Sequence, residues 1–143
     1  MLLRICKKID NHKNKRKIIN NPVYIHFEDQ NAYINGSLFI NQKSEQQIAI
    51  LRMLLDTQYN SRLNGIKDIG CTWMKLASEI DLQKQKRRKK RKSNNIITSE
   101  QHIRQLISQI RKKAKEATKD ANFNLINEAV KGRYILNEKT TLF

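Results

Sequence analysis

A stripe of apolar residues in the last third of the chain constrains its fold more than any other feature. Ile103, Leu106, Ile107, Ile110, Ala114 and Ala117 recur at intervals of three and four, which at ~100° per residue places them on one face of an α-helix. Little of a helix's stability comes from propensity, and most comes from burying such a face. The remainder of the chain must therefore supply a surface to dock on. The opposite face carries Gln101, Gln105, Ser108, Lys112 and Lys119, with Arg104, Arg111 and Lys115 along one flank. Thr98 followed by Gln101 has the spacing of a capping box, which satisfies free amides at a helix start.

Two further helices are legible upstream. Ser44 with Gln47 is a second capping-box pattern, and Ile48, Leu51, Leu54 and Leu55 follow at helical spacing, widened by Ile50 and Met53. This predicts a helix buried on much of its circumference. From Asp56 to Cys71 the chain is polar and contains Gly65 and Gly70, so a long connection is expected, with one turn anchored by Ile66 and Ile69. Thr72 then stands as N-cap to a short second helix. Its stripe is Trp73, Leu76, Ala77 and Ile80, and it ends near Leu82.

Strand signals lie at both ends of this helical region. Val23–Phe27 follows Pro22, the only proline, and Glu28–Asn31 forms a polar turn. Ala32–Ile34 and Ser37–Ile40 flank Asn35-Gly36, the pair that tolerates the two positive φ angles of a type I′ hairpin turn. After the third helix, Asn124–Asn127 and Arg133–Leu136 flank Lys131-Gly132, where glycine is free to take positive φ at a hairpin tip. The expected fold is α+β: an N-terminal antiparallel sheet, three helices and a C-terminal β-hairpin. That order is the one found in a winged helix-turn-helix. The expected boundaries are a basic arm over 1–21, a domain over 22–137 with a basic loop at 84–95, and a tail over 138–143.

Charge narrows the partner. Lys and Arg number 29 against 13 Asp and Glu, a formal charge of +16, which calls for a polyanion. Eight of the nine residues Lys84–Lys92 are basic, and their mutual repulsion argues for a loop, closed by Ser93-Asn94-Asn95. Aromatics at 6% are too few for an extensive base-stacking platform. Cys6 and Cys71 cannot build a disulfide framework, and no apolar run approaches the ~20 residues that cross a membrane. A cytoplasmic, nucleoid-associated protein without membrane contact is expected. His12, His26 and His102 are scattered, and HExxH, CxxC and glycine-rich phosphate loops are missing from the sequence, so neither enzyme nor cofactor nor metal is expected. The pair Glu79 and Asp81 beside Lys84 is the nearest approach to a nuclease metal site.

The third helix has the residue types that a major groove requires. Glutamine pairs bidentately with adenine and arginine with guanine, so Arg104, Gln105, Ser108 and Arg111 are the expected base readers. Thr98 and Ser99 at the helix start, Lys112 and Lys115 along it, and Lys131 and Arg133 at the hairpin tip are the expected backbone contacts.

From Tyr24 to Leu136 the chain resembles the OmpR/PhoB-type winged-helix domains, most closely the ToxR/CadC subgroup. Leu54-Leu55 matches a Leu-Leu pair in the first helix of that family. Ile107-Ser108-Gln109-Ile110-Arg111-Lys112 matches an Ile-Ser-x-Leu-Arg-Lys signature in its recognition helix. Ile126 through Leu136 follows an Ile-x-Thr-Val-x-x-x-Gly-Tyr-x-Leu wing pattern, with Glu128-Ala129 in place of Thr-Val and Arg133 in place of glycine. The resemblance implies a transcription regulator that binds double-stranded DNA, head-to-tail as a dimer on repeated half-sites, with RNA polymerase as a further partner. Phosphorylation control through a receiver domain and membrane sensing are not expected of this chain. Two other readings fit the charge: an RNA-binding or ribosome-associated basic protein, and a protein-interaction module that contacts RNA polymerase.

Overall fold

The structure, a computed structural model, describes residues 22–88 and 98–142, and for 85–88 the backbone alone. The basic arm, residues 89–97 and Cys6 lie outside the described residues. The chain opens as a meander of β1 (Val23–Glu28), β2 (Asn31–Ile34) and β3 (Ser37–Ile40). Asn35 and Gly36 take φ of 49° and 85° between β2 and β3, as the hairpin signal requires. Asp29 and Gln30 turn the chain between β1 and β2, also at positive φ.

Three helices follow: α1 (Glu45–Leu63), α2 (Trp73–Arg88) and α3 (Glu100–Thr118). A two-residue strand, β4 (Cys71–Thr72), precedes α2. The chain finishes with β5 (Ile126–Val130), β6 (Arg133–Leu136) and β7 (Thr140–Leu142). Among the described residues the fold is therefore α+β, with three helices and two small, mostly antiparallel sheets. One sheet runs in the order β3-β2-β1-β7, with β7 parallel to β1; the other runs β4-β6-β5.

The core lies where the helices meet the sheets. Ile25, Ile34 and Ile40 from the first sheet, Ile50, Leu51, Leu54 and Leu55 from α1, Leu76 and Ile80 from α2, and Ile103, Ile107 and Ile110 from α3 are the largest fully buried side chains. The stripe of α3 is spent on β2, β3, α1 and α2, all of which it touches. α1 reaches β7 of the first sheet and β4 and β6 of the second.

Several expectations fail, each for a physical reason. α1 runs on to Leu63, through half of the expected connection, because Gln58 and Ser61 are buried. Gln58 Nε2 donates to the Asn137 carbonyl at 3.3 Å, so a polar residue sits on the inner face with a partner. Ile66 and Ile69 are 63% and 62% exposed and anchor nothing in the core. α2 continues to Arg88 rather than ending near Leu82; Lys and Arg are good helix formers, and cations at a C-terminal turn complement the helix dipole. The expected tail contains β7, paired with β1 and held by Arg62, whose Nη1 donates to Thr141 Oγ1 at 3.3 Å and whose Nη2 donates to the Glu138 carbonyl just before the strand at 2.8 Å.

Candidate nucleic-acid interface

α3 buries one face and is braced on both flanks, which among the described residues leaves a single polar strip uncovered. On one flank it meets the start of α1. Gln47 Nε2 donates to Gln109 Oε1 at 2.7 Å, and Lys113 Nζ donates to Gln47 Oε1 at 2.7 Å and to Ser44 Oγ at 3.4 Å. The His102 ring Nε2 stands 2.7 Å from Gln46 Oε1. These partners on α3 draw Ser44 and Gln47 away from the expected capping box, and Ser44 makes no side-chain cap bond.

The other flank meets the β5–β6 hairpin. Arg111 Nε donates to the Ile126 carbonyl at 2.7 Å, tying the middle of α3 to the first residue of β5. At the hairpin tip Gly132 has φ +80°, and its amide donates to Glu128 Oε2 at 2.7 Å. Its carbonyl accepts from the Trp73 amide at 2.7 Å, which joins the tip to the start of α2. A Cβ built on Gly132 would lie 3.8 Å from Glu100 Oε2, so the tip stands beside the first turn of α3.

Between these flanks the strip runs along Gln101, Gln105, Ser108 and Lys112, all exposed, with Arg104 and the half-buried Lys115 at its hairpin side. Arg104 Nη2 stands 3.2 Å from Glu100 Oε2 one turn earlier. That carboxylate is the main reason the guanidinium is held above its ordinary range, with a smaller contribution from Glu128. Tyr134, 2% exposed on β6, has its phenol pushed above the ordinary value by burial first and by Glu128 second, with Arg104 and Arg111 pulling the other way.

Among the expected base readers, Arg104, Gln105 and Ser108 share this strip. Arg111 is half-buried and has its Nε committed to β5, so it braces the hairpin. Among the expected backbone contacts, Ser99, Lys112, Lys115 and Lys131 border the strip or the tip. Ser99, not Thr98, is the N-cap of α3, and its Oγ accepts from the His102 amide at 3.1 Å. Thr98 is 5% exposed and turned inward; its hydroxyl donates to Asp81 Oδ1 at 2.6 Å and its amide to the same carboxylate at 3.2 Å. This turns Thr98 away from the phosphate contacts and onto the buried Asp81. Arg133 Nη1 donates to the Ile69 carbonyl at 3.3 Å, folding back over the loop before β4. Gln109 and Lys113 were missed as members of the surface; their partners sit more than sixty residues away in sequence, and no local pattern marks them.

Among the described residues no cluster of three or more His, Cys, Asp or Glu is placed to hold a metal ion. No described helix is long and apolar enough to cross a membrane. An open cavity of about 280 Å³ lies between Lys43, Gln47, Ile80, Lys84 and Leu106. No protein-family model, curated protein or solved structure matches this chain.

Proposed function

We propose that the chain is a sequence-specific double-stranded DNA-binding transcription regulator of winged helix-turn-helix type. α2 and α3 would form the helix-turn-helix, and the β5–β6 hairpin, with β4 alongside, the wing. The observation that carries this reading is the uncovered strip on α3. A helix whose apolar face and both flanks are spent on its own domain keeps one face free, and that face bears Gln101, Arg104, Gln105, Ser108 and Lys112. A B-DNA major groove admits one helix and presents base edges that these side chains can pair with.

In this arrangement Arg104, Gln105 and Ser108 face base edges. Ser99, Lys112 and Lys115 hold phosphates along the groove, and Lys131 at the wing tip holds the neighbouring backbone. Arg111 and the Gln47–Gln109–Lys113 network fix the orientation of α3 and do not read bases. Chemistry on the nucleic acid is not part of the proposal; the protein acts by occupying its site.

The test is selection from a randomised duplex pool. The winner, random duplex and a structured RNA are then compared across a salt series. A winner bound about 10³-fold tighter than random duplex supports a specific regulator. Preference for the structured RNA would overturn the DNA reading. Replacing Arg104 and Gln105 together should weaken the winner by about 2–6 kcal/mol while hardly changing random duplex; equal loss on both would remove these two from base reading.

A further inference from the structure

We infer that Glu100 determines the specificity of this interface by holding Arg104 off the phosphates and toward a base edge. The inference rests on the DNA-binding reading above. A carboxylate in the first turn of a helix that enters a phosphate-lined groove works against affinity, and in a chain of charge +16 it stands out. Two acids act on Arg104 at the hairpin side of the strip, Glu100 and Glu128. Glu128 has a structural task, since its Oε2 accepts from the Gly132 amide and closes the hairpin tip.

Glu100 engages Arg104 instead, one helical turn on, at 3.2 Å. The two side chains are 37% and 45% exposed, and an exposed pair of this kind adds little to folding. Its effect falls on the guanidinium. An unrestrained arginine on this strip can swing to whichever phosphate lies nearest, which raises affinity for every sequence alike. With one Nη held by Glu100, the remaining N–H donors are confined to the hairpin side of the strip, where they stay available to guanine O6 and N7. Phosphates are repelled from the same place. The pair thus gives up general affinity and gains discrimination.

The experiment uses the full chain with Glu100→Gln, Arg104→Gln and the double variant, each titrated with the selected and a random duplex over a salt series. Both side chains are exposed and glutamine is a good helix former, so folding is retained, and circular dichroism verifies it. Glu100→Gln should tighten random-duplex binding by about 5-fold at 0.15 M salt and steepen its log–log slope by about 0.9, the signature of one added phosphate contact. Selected-duplex binding should tighten less, so the specificity ratio falls. In the Arg104→Gln background the slope change should vanish. Tightening of both duplexes by the same factor, or a slope change that survives without Arg104, would show a general charge effect and overturn the inference. A wild-type chain that selects no duplex overturns the DNA reading itself, and with it this role of Glu100; that arm is read separately from the variants.

Discussion

Thr98 and Thr140 are both buried threonines, and the structure gives their hydroxyls opposite values. The Thr98 hydroxyl donates to the buried Asp81 carboxylate at 2.6 Å, joining α2 to the residue before the α3 cap. Hydrogen bonds to charged groups contribute about 1.5–3 kcal/mol, and removing the donor leaves the acceptor short of one. Thr98→Val should therefore lower stability by about 2 kcal/mol, read as a drop in the urea midpoint at constant m. The Thr140 hydroxyl is fully buried on β7 and has no hydrogen-bond partner among the described residues. A buried hydroxyl without a partner carries a desolvation cost of about 1–3 kcal/mol in proteins, so Thr140→Val, which keeps the branched shape, should raise the midpoint by about 1 kcal/mol. A destabilised Thr140→Val would mean that the hydroxyl finds a partner in solution. The sequence contains both threonines but not this difference, because each depends on what the fold places opposite the hydroxyl.

At the scale of elements, the second sheet depends on one close approach. Gly70 has φ +72°, and a Cβ there would fall 2.1 Å from the Tyr134 carbonyl oxygen and 2.9 Å from its carbon. Both are backbone atoms of β6 and cannot swing aside. Gly65 is equally left-handed at φ +66° but faces open space. Gly65→Ala should cost about 1–2 kcal/mol, the strain of the left-handed conformation alone. Gly70→Ala should cost at least about 3 kcal/mol more, because β4 must separate from β6. Chemical denaturation of the two variants side by side checks this; equal costs would mean that the approach is looser than described. The same contrast explains which elements the sequence discloses. α3 shows as a long stripe, and the β2–β3 hairpin shows as Asn35-Gly36, because both signals are local. β4 and β7 are two and three residues long, too short to carry a period, and they exist through pairing with β6 and β1. The far end of α1 was hidden because its inner face carries Gln58 and Ser61, which a hydropathy pattern assigns to solvent. In the candidate site, the face of α3 was legible from spacing. The commitment of Arg111 to Ile126 and the one-residue shift of the cap from Thr98 to Ser99 were not, since both are settled by tertiary partners.

At the scale of the whole molecule, charge and shape make separable predictions about DNA. On the proposed DNA reading, the strip and the β5–β6 tip offer three lysines to phosphates, Lys112, Lys115 and Lys131, which by counterion release would give a log–log salt slope of about −2.7. The sequence Lys84–Lys92 adds eight basic residues in nine. If the polyanion bound by this run is the same duplex, the slope of the full chain should be steeper than about −5. Changing Lys89, Lys90, Arg91 and Lys92 to Gln should flatten it by about 2–4, with the ratio of selected to random binding preserved, because phosphates carry no sequence. Titration of both forms with random duplex between 50 and 200 mM salt measures the slopes, and competition with the selected duplex measures the ratio. A slope near −2.7 in both forms would place the run away from DNA and direct it to an acidic protein surface such as RNA polymerase could supply. A ratio that collapses along with the slope would instead assign the basic run, not α3, the discrimination, and the strip of Arg104, Gln105 and Ser108 would lose its proposed role.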